Sequence, residues 1–208
     1  MSERRIEELT DVEFDVLKEI SNIGTGNAAT AVSKIMDGRI SIMVPVIKFL
    51  SFSEAGEAVG GAENEVVGIL ITLSGEIDGM MMLILDKHSA RIVADHMLQK
   101  DTDEGIDSAE LSEIEKSALN EFGNMIAGSY LSAVAKMTGL SCSTSVPSLA
   151  DDMAGALLSV PAIEFGKISD RVLLIQSLFE YEKKKVEGYF ILVPTLKAFE
   201  KIFEKLGL

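Results

Sequence analysis

The sequence predicts an α+β fold: an antiparallel sheet with long helices packed against it, built as a pseudo-two-fold internal repeat. Three observations predict it. Short apolar runs that read as strands alternate with two long stretches of helical period. Glu, Asn and Pro recur at one common offset of 102 residues. Each half of the 208-residue chain is also small for an independent core, which favours one domain with a shared sheet over two.

The first helix is expected from about Asp11 to Met36, with Thr10 or Asp11 as N-cap, Glu13 in an acidic first turn and Asp37-Gly38 as its stop. Strands are expected near Ile40–Val44, Val66–Leu73 and Met80–Leu85, and a helix near Ser89–Gln99. Gly75-Glu-Ile-Asp-Gly79 reads as an antiparallel connection, and Met80, Met81 and Met82 read as core filler. The single domain 1–208 then divides into repeat 1 at about 11–99, a polar linker at about 100–107, and repeat 2 at about 108–207. In the second repeat a helix is expected from about Ser108 to Thr138, ended by Gly139, then a strand at Ser141–Val146. Ala150–Leu158 reads as a short helix without a counterpart in the first half. Strands near Ala162–Phe165, Val172–Glu180 and Gly188–Val193 and a helix at Thr195–Leu206 complete the chain, with the helices on one side of the sheet.

Composition narrows the function. With 19 Lys and Arg against 33 Asp and Glu, the net charge is −14, which repels phosphate backbones and anionic lipid and argues against nucleic-acid or membrane partners. One cysteine, Cys142, permits no internal disulfide and suits a reducing, cytoplasmic setting. The N-terminus lacks the apolar stretch of a signal peptide, and the longest apolar run, Met80 to Leu85, is far short of the ~20 residues of a membrane helix. His88 and His96 stand eight apart with no cysteine nearby, so no metal site is expected. Asp101 to Asp107 departs from a calcium loop in its glycine, and its twelfth position is Ser112, so it reads as a solvated linker. Gly24-Thr-Gly26-Asn27 lies inside a helical pattern without a following Gly-Lys-Ser/Thr, and is better read as permitting close helix packing than as a phosphate loop.

The repeat carries the chemistry. Asp15, Glu19 and Asn22 correspond to Ser117, Glu121 and Asn124, and a proline stands twenty-three residues beyond each Asn, at Pro45 and Pro147. Gly26 and Gly128, Ala31 and Ala133, Val32 and Val134, Lys34 and Lys136, and Val44 and Val146 match at the same offset. Duplicated packing accounts for the matching Val and Ala, but not for a matched Glu and Asn. At about 100° per residue, positions 15, 19 and 22 share one narrow face, while Leu17, Ile20, Ile23 and Ile35 mark the opposite, core stripe. A carboxamide and a carboxylate on a rigid exposed ridge cannot enclose a small substrate. They can enter a partner's pocket, the Asn aiming a water and the Glu pairing with a cation.

These residues resemble the CheC/CheX/FliY phosphatases of bacterial chemotaxis, whose motif is Asp or Ser, three residues, Glu, two residues, Asn, twenty-two residues, Pro. Both copies here match it in full, and the resemblance covers essentially the whole chain. Two complete motifs and this length are most similar to CheC-type members. The resemblance implies hydrolysis of the aspartyl phosphate of the phosphorylated response regulator CheY. Asn22 and Asn124 would orient the attacking water, and Glu19 and Glu121 would pair with a regulator lysine. Asp15, Ser117, Pro45 and Pro147 would support the motif. No cofactor of its own is implied; Mg²⁺ is expected in the regulator. The resemblance also implies a second partner, the receptor deamidase CheD, met by the short helix after Pro147 through Asp152, Ala154, Gly155 and Ala156. A non-enzymatic adaptor for CheD is the alternative reading, and a structural part of the flagellar motor switch is a third.

Overall fold

The computed structural model describes residues 10–35, 40–42, 46–100, 110–165, 171–181 and 184–208. In chain order the elements are α1 (Asp11–Ile35), β1 (Ile40–Ile42), β2 (Val46–Ser51), α2 (Phe52–Ala58), β3 (Glu65–Gly75), β4 (Gly79–Asp86) and α3 (Lys87–Met97). Then come α4 (Glu113–Thr138), β5 (Cys142–Thr144), β6 (Ser148–Met153), α5 (Ala154–Phe165), β7 (Arg171–Tyr181), β8 (Lys184–Pro194) and α6 (Leu196–Leu206). The order αββαββα therefore occurs twice.

The strands form one antiparallel sheet in the order β1-β7-β8-β4-β3-β5, with β2 also on β7 and β6 also on β3. The edge strands of each half thus pair with the other half. The registers are related by symmetry. Phe49 faces Leu173 as Asp151 faces Val67, and Val67 faces Leu85 as Leu173 faces Leu192. The shifts of 106 and 107 residues that relate β3 to β7 and β4 to β8 place Leu83 on Phe190, and those two residues pair with each other in the central ladder. A local dyad passes through that pair.

Both faces of the sheet are covered, which corrects the expectation of helices on one side. Met81, Leu83, Leu85, Ile69 and Phe190 pack with α1, α3, α4 and α6 through Ile20, Ile92, Phe122, Ile126 and Ile202. Met82, Ile84, Leu174 and Ile191 pack with the short α2 and α5 through Ala55, Leu157 and Leu158. Alternate residues of a strand point to opposite faces, so a strand apolar throughout, such as Met80–Leu85, must be buried on both. Two glycines set the close approach of helix to sheet. A Cβ on Gly123 of α4 would meet Ile69 Cγ2 at 2.7 Å, and one on Gly68 of β3 would meet Leu157 Cδ1 at 2.7 Å.

Four expectations for the second half are corrected. Residues 150–153 belong to the edge strand β6, and the helix runs from Ala154 to Phe165. Asp151 and Asp152 are poor helix formers, and pairing with β3 supplies their backbone with partners. The supposed strand at Ala162–Phe165 is the last turn of that helix, which continues through Pro161. Its counterpart in the first half is α2, a seven-residue helix closed by a Ser51–Glu54 capping box. The α4 helix also begins at Glu113, with Ser112 as N-cap, rather than near Ser108. Met36, Pro45 and most of the linker lie outside the described residues.

Candidate active site

α1 and α4 are built alike from their first residue. Thr10 donates its hydroxyl and backbone N–H to Glu13 Oε2 at 2.9 and 2.8 Å, while Glu13 N–H donates back to Thr10 Oγ1 at 3.3 Å. Ser112 does the same to Glu115 Oε2, at 2.7 and 2.8 Å. Both glutamates are buried, and they stand 102 residues apart. Glu115 is also paired with Arg91 at 2.7 Å and Lys100 at 2.9 Å. Burial pushes its carboxyl up, but the hydrogen bonds from Lys100, Ser112 and Arg91 outweigh it and hold the group down at about 2. This network fixes the start of α4 against α3.

From those caps the two helices expose the same stripe. Val12, Asp15, Glu19, Asn22, Gly26, Thr30 and Lys34 are exposed on α1, and Ile114, Ser117, Glu121, Asn124, Gly128, Ser132 and Lys136 on α4. All four predicted Glu and Asn side chains therefore face solvent. Among the described residues no side-chain hydrogen bond or ion pair restrains any of them. Opposite them Leu17, Ile20, Leu119, Phe122 and Ile126 are buried. Asp15 is exposed, 4.0 Å from Lys18, whose ammonium lies 4.3 Å from the centre of the Phe14 ring. Pro147 is half-buried between β5 and β6, and beside it Val146 is 88% exposed. The turn is fixed by Ser145, whose backbone N–H donates to Thr72 O at 2.9 Å and whose hydroxyl accepts from Thr72 N at 3.0 Å.

The residues assigned to a second partner divide. Asp152 and Ala156 are exposed. Ala154 is wholly buried, and its N–H donates to Asn64 O at 2.8 Å, so its side chain offers a partner no surface. Gly155 packs on Ala62, where a Cβ would stand 3.1 Å from Ala62 Cβ. Among the described residues no three His, Cys, Asp or Glu side chains converge as a metal site, and no helix is long and apolar enough to cross a membrane. Burial pushes the Cys142 thiol up, and its S–H points at Ile77 O, 3.1 Å away, the opposite of an activated nucleophile. A polar groove of about 420 Å³ lies between β6 and the start of α4, lined by Glu65, Lys87, Glu110, Lys116 and Asp151, but it holds none of the four motif side chains.

Comparison with known proteins shows the family. The CheY-P phosphatase CheC of Bacillus subtilis (strain 168) is 31% identical over 201 residues, covering 96% of both chains. This chain belongs to the CheC family. The model of the CheC-like family matches residues 12–49, which contain the first motif, and that of the chemotaxis phosphatase CheX matches residues 67–163, which contain the second Glu and Asn. The flagellar motor switch phosphatase FliY of B. subtilis is 30% identical over 124 residues, 60% of this chain and 32% of that protein. Among solved structures, Thermotoga maritima FliY superposes with a TM-score of 0.73 at 25% identity, covering 96% of this chain and 98% of that one. The structure of a CheX-CheY-BeF3-Mg complex from Borrelia burgdorferi has the same fold, with a TM-score of 0.54 at 16% identity over 82% of this chain and 94% of that one.

Proposed function

We propose that this CheC-family protein hydrolyses the aspartyl phosphate of a phosphorylated CheY-type response regulator, once from each motif helix. The Bacillus subtilis relative that matches 96% of its length bears the name CheY-P phosphatase. The observation that carries the reading is the pair of Glu and Asn side chains, exposed at matching positions of two rigid helices and held by no neighbour among the described residues. Glu19 and Glu121 pair with a lysine of the regulator. Asn22 and Asn124 accept from and donate to a water, aiming its lone pair at phosphorus. The water oxygen bonds to phosphorus as the bond from phosphorus to the aspartyl oxygen breaks. The regulator's carboxylate leaves with that electron pair, and inorganic phosphate departs. The Mg²⁺ that stabilises the transferring phosphoryl group is the regulator's. The site of action is the cytoplasm.

A second reading is a non-enzymatic adaptor for the deamidase CheD, favoured by two large apolar side chains left exposed, Met153 next to Asp152 on β6 and Ile163 towards the end of α5. A phosphate-release assay separates the two. The phosphatase reading predicts faster release from phosphorylated regulator when the chain is added. The adaptor reading predicts tight binding and an unchanged rate, with either Asn present or replaced.

A further inference from the structure

Val12 of α1 and Ile114 of α4 are large apolar side chains left in water, 58% and 61% exposed. They stand 102 residues apart, so each occupies the same place on its helix, ten residues before Asn22 or Asn124. A single exposed aliphatic side chain is ordinary. A matched pair heading two otherwise polar stripes is not, because an alanine or a charged residue serves helix and solubility better at both positions. On α1, Val12, Asp15, Glu19 and Asn22 fall within an arc of about 80° and a length of about 15 Å, and the second helix repeats this.

We propose that Val12 and Ile114 are apolar anchors that seat the phosphorylated response regulator on each motif helix, in a hollow of the regulator beside its phosphorylation site. The inference rests on the phosphatase reading and extends it from chemistry to docking. A globular partner whose phosphoryl group meets Asn and whose lysine meets Glu covers about 800 Å² on this side, and so extends several turns along the helix. Towards the C-terminus that footprint meets exposed Gly26 and Gly128, which offer no side chain, and then the small polar Thr30 and Ser132. Towards the N-terminus it meets Val12 and Ile114. Long-range charge does not hold the complex together, since this chain carries −14 and the phosphorylated centre is itself anionic. An exposed Glu–Lys pair in water adds little net attraction. A desolvated aliphatic side chain beside the pair supplies attraction that salt does not screen.

The test titrates the full chain with a CheY-type regulator activated by BeF3⁻ and Mg²⁺, and measures phosphate release in parallel. In the Val12→Asp/Ile114→Asp double variant, affinity is expected to weaken at least tenfold, with the loss in KM and not in kcat. A Val12→Leu/Ile114→Leu variant keeps wild-type affinity. Unchanged affinity in the Asp variant, or a loss confined to kcat, overturns the proposal; far-ultraviolet circular dichroism confirms folding. A wild-type chain that binds without releasing phosphate fails the hydrolysis reading alone, and the titration still decides the anchors. A wild-type chain that does not bind overturns both.

Discussion

Gly24 of α1 lies against the ring of Tyr130 in α4: a Cβ on Gly24 would stand 2.5 Å from Cδ2 and from Cε2. One turn earlier, Ser21 Oγ lies 3.3 Å from the Tyr130 hydroxyl. The ring also meets Phe190, on the dyad of the sheet, at 5.3 Å between centroids. Tyr130 is fully buried, and that burial pushes its hydroxyl up to about 12 against the pull of Ser21. The contact locks the two motif helices together at fixed spacing.

Gly24→Ala is therefore expected to destabilise by about 1–3 kcal/mol, because overpacking against a rigid ring exceeds the gain in helix propensity. Gly26→Ala, two residues on, has nothing within 4 Å and is expected to stabilise by roughly 0.5–1 kcal/mol. Urea unfolding of both variants checks the reversal of sign.

Thr25 Oγ1 is buried without a hydrogen-bond partner, beside a small cavity also lined by Ala28, Val32, Leu83, Ile126 and Tyr130. Removing an unsatisfied hydroxyl from an apolar site relieves its desolvation cost. Thr25→Val is expected to raise stability by about 1 kcal/mol, seen as a higher unfolding midpoint with unchanged slope.

Glu115 makes stability depend on acid. Its folded pKa of about 2 lies below the unfolded value of 4.5, so its contribution is full above pH 4.5 and is lost as pH falls towards 2. The loss over the whole window is expected to be on the order of 3 kcal/mol. Glu115→Gln is less stable at neutral pH and lacks that part of the acid dependence, which unfolding curves between pH 6 and 2.5 would show.

The two sites are expected to contribute unequally, because Asp15 is replaced by Ser117 and Ser21 by Gly123. Asn22→Ala and Asn124→Ala, made singly, should each lower the rate of phosphate release by a different factor. One single variant that abolishes release would contradict two working sites.

The motif helices were legible because their apolar stripe has a sustained helical period and their polar face repeats at one offset. The exposure of Glu19, Asn22, Glu121 and Asn124 followed from the wheel alone. The coverage of both sheet faces had a readable signal in the unbroken apolar run at Met80–Leu85, since a strand wet on one face alternates. The α2 helix, at seven residues, is too short to show a period, and its trace was the Ser51-x-x-Glu54 capping box. The β6–α5 boundary was misplaced because Asp151 and Asp152 are held by β3, far away in sequence. The wheel also places Val12 and Ile114 on the polar arc, and the coordinates add how far they are exposed, 58% and 61%.

The central claim is that two amides finish a hydrolytic centre that belongs to the regulator. Phosphate release from phosphorylated CheY-type regulator, with wild-type chain and with Asn22→Ala/Asn124→Ala, tests it most directly. The account predicts that the folded double variant still binds the regulator but loses its acceleration by about a hundredfold or more. A folded double variant that speeds release as the wild type does would contradict it.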